Sequence, residues 1–215
     1  MSKTTIDSIV STRLIPVVTI KSVDQAAPLA EALISAGQRT VEVTLRTAES
    51  LKALEKMASF SELLIGVGSV KNANDLSNAI SAGAQFAVSP GYSDEIAAKA
   101  KEMEFTYIPG ISTPTEIMQA LSHDLSVLKF FPAEICGGVK GVQSLSAPFP
   151  GVTFIPTGGI NTANAGSYLA VKSVIAVGGS WMVASDLLDE GKYVEITRLT
   201  RATISEFNPV EGNTK

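Results

Sequence analysis

Two ionisable side chains stand where a strand pattern has no ordinary use for them: Glu42 in Thr-Val-Glu-Val-Thr, and Lys129 in Val-Leu-Lys-Phe-Phe-Pro. Every second residue of a strand points to the same side. Val41, Val43, Leu128 and Phe130 are apolar enough to lie beneath covering helices, so Glu42, Thr44 and Lys129 point the other way, into the interior that the strands enclose. Taking a lysine and a glutamate out of water is costly unless they pair or titrate. If they only pair, they fix strand register. If they react, the lysine is a nucleophile: a free lysine amine titrates near ~10.4, an apolar cage lowers that by up to a few units, and the freed lone pair can attack a ketone carbonyl. The resulting iminium draws electrons from the adjacent carbon–carbon bond. A carboxylate that gives and takes protons then serves carbinolamine dehydration and the loss of a hydroxyl proton, and Glu42 has the chemistry for that task.

Other groups extend this set. Thr157-Gly158-Gly159-Ile160-Asn161 and Gly178-Gly179-Ser180 are glycine-rich turns, and backbone N–H groups in such turns can close on a phosphate where no side chain intervenes. Paired glycines also make simple tight turns, but two such pairs follow the last two strand-like runs, the usual phosphate-binding place in one class of barrel. Arg46, two residues beyond Thr44, can clamp a carboxylate with two parallel hydrogen bonds or merely sit on a loop surface. His123 is the only histidine. It falls near a helix end away from the strand tops and reads as a solvated helix residue, which excludes histidine-based triads and His-rich metal sites. Cys136 reads as structural or incidental.

The elements that must position these residues follow from hydrophobic pattern. Apolar runs rich in β-branched residues lie at 14–19, 40–44, 64–68, 86–89, 106–109, 127–130, 153–156 and 173–177. Between them run stretches with helical spacing, such as Val23, Ala26, Ala27, Ala30, Leu33 and Ile34, and then Leu51, Leu54 and Met57. Gly37 and Gly83 read as helix ends, Asn72, Ser93 and Asn161 as N-caps, and Pro114, following Thr113, as the first residue of a helix. Strands apolar on both faces, each followed by an amphipathic helix, predict an α/β fold with a parallel sheet buried under helices. Eight such units with no linker between them favour a closed (β/α)₈ TIM barrel over an open doubly wound sheet. The reading is one domain over residues 1–215, with an extra N-terminal helix at 4–11 covering the barrel floor, a last helix near 194–206, and a frayed tail at 208–215.

Composition narrows the function class. Of 215 residues, 45% are hydrophobic and 18% charged, which excludes intrinsic disorder. Lys plus Arg number 17 against 21 Asp plus Glu, a formal net charge of −4 with no basic run, so nucleic acid and anionic membrane surfaces are not expected partners. A single cysteine suits a reducing cytoplasm. No signal peptide or membrane span is read at the N-terminus. Barrels of this kind typically need about 250 residues, so this length leaves little room for a lid or a cofactor domain.

The same residues carry a resemblance. Glu42-Val43-Thr44-Leu45-Arg46-Thr47, Gly66-Val67-Gly68-Ser69-Val70, Phe86-Ala87-Val88-Ser89-Pro90-Gly91, Ile108-Pro109-Gly110-Ile111-Ser112-Thr113, Lys129-Phe130-Phe131-Pro132-Ala133-Glu134, Pro156-Thr157-Gly158-Gly159-Ile160 and Gly178-Gly179-Ser180-Trp181 resemble, in order, the signature segments of the 2-keto-3-deoxy-6-phosphogluconate (KDPG) aldolase family, which includes 4-hydroxy-2-oxoglutarate (KHG) aldolases. The resemblance implies a class I, Schiff-base lyase that needs neither metal nor other cofactor, built on a (β/α)₈ barrel and usually a homotrimer. It would cleave the phosphorylated 2-keto acid to pyruvate and glyceraldehyde 3-phosphate. By the same resemblance Lys129 forms the imine and Glu42 is the acid/base. Arg46 holds the pyruvoyl carboxylate with help from Ser69 and Thr157, Pro90 and Phe131 wall the pocket, and Gly158, Gly159, Gly179 and Ser180 receive the phosphate. Ser69 stands where the family commonly has Thr, keeping the hydroxyl and losing a methyl. Alternatives in view are the galactonate epimer of the substrate, a phosphate-binding barrel isomerase or epimerase using Glu42 as base, and a retired barrel acting as scaffold or sensor.

Overall fold

The computed structural model describes residues 3–207. Its strands are β1 (Leu14–Val18), β2 (Thr40–Thr44), β3 (Leu64–Gly68), β4 (Phe86–Val88), β5 (Tyr107–Ile108), β6 (Gly110–Ile111), β7 (Val127–Phe130), β8 (Thr153–Pro156) and β9 (Val177–Gly179). All their pairings are parallel. They run in the order β5-β4-β3-β2-β1-β9 and, separately, β6-β7-β8. Pro109 is the join between β5 and β6: it has no N–H to give a ladder, but its carbonyl accepts from Lys129 N at 2.8 Å. At the other seam, isolated parallel bridges Phe154↔Val174 and Thr157↔Gly178 link the β8 side to the β9 side. The curled parallel sheet thereby comes round as a (β/α)₈ barrel, and β5 with β6 count as one barrel strand.

Two departures from the sequence reading have local causes. The expected strand at 106–109 is interrupted at Pro109 and resumes at Gly110. The expected strand at 173–177 pairs mainly beyond its predicted end, as Leu14, Ile15 and Pro16 align with Val177, Gly178 and Gly179. Both positions require glycine, because neighbouring side chains occupy the space a Cβ would need. A Cβ on Gly178 would lie 2.4 Å from Thr157 Oγ1, and one on Gly179 1.8 Å from the Trp181 ring.

The helices are α1 (Lys3–Thr12), α2 (Ala26–Ser35), α3 (Ser50–Met57), α4 (Ala73–Ser81), α5 (Asp94–Glu102), α6 (Pro114–Ser122), α7 (Gly138–Ser146), α8 (Ala165–Leu169), α9 (Ser185–Asp189) and α10 (Tyr193–Phe207). Side-chain caps open α4, α5 and α6. Asn72 accepts from Asp75 N at 2.8 Å, and Ser93 from Ile96 N. Thr113 and Glu116 form a reciprocal capping box with Pro114 at the first helical position. Burial of Glu116 opposes its ionisation, yet hydrogen bonds from Ser112 and Thr113 outweigh that and hold its carboxyl below the usual range. Asn161 is not the cap of α8. It turns the chain by accepting from Ala163 N at 2.9 Å, and the helix begins after Asn164. The tail 208–215 lies outside the described residues.

Apolar side chains form two bodies. The larger sits between strands and helices and includes Val41, Val43, Leu128 and Phe130, the outward residues of the alternation argued above. The smaller fills the barrel: Ile15, Phe86, Val88, Ile108, Val127, Ile155 and Ala176, with Ile9 of α1. Ile9 is completely buried, so α1 contributes directly to the interior. Inside, glycine makes room for bulk: a Cβ on Gly66 would lie 2.1 Å from the Phe86 ring.

Candidate active site

Lys129 on β7 and Glu42 on β2 point into the barrel and meet there, Nζ to Oε1 at 3.1 Å and to Oε2 at 3.5 Å. Their side chains are 7% and 3% exposed. The amine also lies 5.2 Å from the centre of the Phe131 ring, close enough for a cation–π contact. The glutamate folds over Gly68, where a Cβ would lie 2.1 Å from Oε1. Neither group has an exit to bulk water through the barrel below, which is filled by the inner apolar body. A nucleophile and a proton acceptor within hydrogen-bond reach, buried beside the Phe131 ring that lines a cleft though neither lines it itself, can form a carbonyl adduct and move its protons.

Above Phe131 opens a cleft of about 250 Å³. Seven of the residues singled out from sequence line it: Arg46, Phe131, Thr157, Gly158, Gly159, Gly179 and Ser180. Ser69 joins through Arg46, whose Nε donates to Ser69 Oγ at 3.1 Å. Ser69 holds φ +61°, a left-handed conformation uncommon for a side-chain-bearing residue. Pro90 stands apart from this cleft. It is exposed, and its backbone packs against Gly110, whose missing Cβ would meet Pro90 O at 2.3 Å. Val17, Thr19, Ile160, Val183 and Ser185 also line the cleft, and the sequence reading assigns them no role there, Ile160 entering only as part of its motif. Val17 and Thr19 have a signal in the same period-two alternation that exposed Glu42, whereas Val183 and Ser185 arrive from a segment beyond the last strand.

The glycine turn after β8 has its carbonyls engaged. Gly158 O accepts from Glu134 N at 3.2 Å, and Gly159 O from the side chains of Asn161 and Asn164. The amides of Gly159 and Ile160 meet no acceptor among the described residues. Gly158 and Gly159 take φ +99° and +81°. At Gly159 a Cβ would also lie 2.6 Å from Glu134 Cγ, so glycine is needed there twice over. Glu134 is itself held by Tyr168, whose hydroxyl donates to Oε1. Burial, first, and that carboxylate, second, push the Tyr168 phenol well above its usual range. The remaining marked residues lie elsewhere. His123 ends α6 half-buried rather than solvated, with Nε2 3.3 Å from Asp94 Oδ1 and its ring tilted on Tyr92. Cys136 is a free, partly buried thiol. Among the described residues no helix is long and apolar enough to cross a membrane, and no group of three or more His, Cys, Asp or Glu could hold a metal ion.

The model of the KDPG and KHG aldolase family matches residues 6–199. The chain is 44% identical over 204 residues to the KHG/KDPG aldolase of Escherichia coli K12, covering 94% of this chain and 96% of that one. It is 42% identical over 193 residues to the 2-dehydro-3-deoxy-phosphogluconate aldolase of Dickeya dadantii, covering 89% and 91%. Among solved structures, the KDPG aldolase of Legionella pneumophila, with pyruvate captured as a covalent carbinolamine, superposes with TM-score 0.90 at 38% identity, over 93% of this chain and 97% of that one. The aldolase of Zymomonas mobilis with 3-phosphoglycerate superposes with TM-score 0.88 at 36% identity, over 97% and 98%. Sequence motifs, barrel and a buried amine–carboxylate pair beneath a cleft converge with these likenesses: the chain belongs to the KDPG and KHG aldolase family.

Proposed function

We propose that this chain is a class I aldolase that cleaves 2-keto-3-deoxy-6-phosphogluconate to pyruvate and glyceraldehyde 3-phosphate and also acts on 4-hydroxy-2-oxoglutarate. The observation that carries the reading is the 3.1 Å contact between Lys129 Nζ and Glu42 Oε1, buried under the cleft. Glu42 takes a proton from the amine, whose lone pair adds to the C2 ketone to give a carbinolamine. Returning a proton to the departing hydroxyl expels water and leaves the iminium. Glu42 then removes the C4 hydroxyl proton, the C3–C4 bond breaks, and its electron pair moves into the iminium as an enamine while the aldehyde leaves. Protonation at C3 and hydrolysis release pyruvate and the free lysine. No metal or other cofactor enters the scheme.

Arg46 receives the C1 carboxylate as a planar two-pronged donor, steadied by Ser69 Oγ, with the Thr157 hydroxyl close by. Phe131 walls the pocket. The phosphate goes to the glycine turn and to Gly179 and Ser180, where the open amides of Gly159 and Ile160 supply donors. The exposed position of Pro90 favours support of the neighbouring loop over contact with substrate. We further assign residues 1–215 to one domain, the active form to a homotrimer, and the compartment to the cytoplasm, where a single cysteine stays reduced.

The test is reduction with borohydride in the presence of pyruvate. The expected result is one reduced adduct, located on Lys129 by mass spectrometry; Lys129→Ala loses both adduct and cleavage, and EDTA leaves cleavage intact. Activity lost with chelator and restored by a divalent ion would overturn the imine scheme. Turnover without an adduct would instead favour an isomerase or epimerase in which Glu42 alone is the base. Comparing the gluconate and galactonate epimers as substrates decides the stereochemical alternative.

A further inference from the structure

Resting on the function proposed above, we infer that Thr19 is a specificity-determining residue: its hydroxyl oxygen accepts a hydrogen bond from the substrate's C5 hydroxyl. Thr19 lines the cleft just past the end of β1. In the sheet β1 stands between β2, which leads into Arg46, and β9, which ends at Gly179. Thr19 is therefore on the wall that joins the carboxylate end of the cleft to its phosphate end, alongside the carbons that connect them.

The direction of the hydrogen bonds around it decides what it can bind. Thr44 has one hydroxyl proton and gives it to Val18 O at 3.0 Å. The 2.8 Å contact between the hydroxyls of Thr19 and Thr44 is assigned as donation from Thr19 to Thr44, the one direction in which both contacts are made at once. With its own proton committed, Thr19 offers the cleft lone pairs alone. Ionised carboxylate and phosphate offer lone pairs too, so neither charged end of the substrate can bond there, whereas a substrate hydroxyl can. The C4 hydroxyl surrenders its proton to Glu42 during cleavage, which leaves the C5 hydroxyl, the one nearer the phosphate, as donor. Thr44 thus acts as a positioning residue, fixing the polarity of Thr19 without touching substrate.

The C5 hydroxyl is the 2-hydroxyl of the aldehyde product, so the synthetic direction gives a direct test. Wild type, Thr19→Val and Thr19→Ser are each supplied with pyruvate and either glyceraldehyde 3-phosphate or 3-oxopropyl phosphate, which lacks that hydroxyl. The quantity read is the ratio of kcat/KM for the two aldehydes, in which their differing intrinsic reactivity cancels between variants. Thr19→Val should lower the ratio about five- to tenfold, the usual worth of one neutral hydrogen bond, and Thr19→Ser should restore it. An unchanged ratio in Thr19→Val, with a pyruvate adduct still trapped on Lys129, overturns this inference alone. Absence of the adduct in wild type overturns the parent reading and this one together.

Discussion

At the scale of single residues, the Lys129–Glu42 pair is a stability risk kept for its chemistry. Two buried charges attract strongly but lose their hydration, and a well-packed apolar pair of similar volume is often as stable or more so. Removing one partner is another matter, since the other is then left buried without compensation. Lys129→Met should therefore cost about 3–5 kcal/mol in urea denaturation, while Lys129→Met with Glu42→Leu should return to near wild type or above it. A double variant no more stable than the single would show that the pair contributes net stability in its own right. Both residues were legible in the sequence because alternation within short strands leaves no doubt about which side a charge faces. Ser69's left-handed backbone and the hydrogen-bond polarity of Thr19 were not, because each depends on partners from other strands.

At the scale of elements, the glycine turn after β8 is fixed by a chain of contacts that leads away from the cleft: Gly159 against Glu134, and Glu134 onto the buried Tyr168 of α8. Tyr168 touches no substrate in the proposed scheme, so it is a positioning residue for the phosphate turn. Tyr168→Phe should raise KM for the phosphorylated substrate about three- to tenfold, the range of one lost hydrogen bond, with kcat on 4-hydroxy-2-oxoglutarate and the yield of pyruvate adduct little changed. Steady-state kinetics on the two substrates separates this from a general loss of structure, which would depress both. The order of elements was readable from period and caps, as Asn72, Ser93 and Thr113 illustrate. Where the reading slipped, at Pro109, at Asn161 and at the last strand, the deciding contact came from a neighbouring strand or a later turn rather than from the local sequence.

At the scale of the whole molecule, the proposed homotrimer gives a direct measurement: sedimentation equilibrium should return three times the chain mass. The barrel's interior body has a further consequence. Its apolar residues run from Ile9 of α1 at the floor up to Ile155, which stands level with Lys129, and none of them lines the cleft. The fold therefore separates foundation from workshop. Size-conserving changes to the lower side chains can alter how firmly the barrel holds while leaving the reaction untouched, and changes at the mouth can alter the reaction while the foundation absorbs their cost. A lineage, or an engineer, can revise one half of this protein without renegotiating the other.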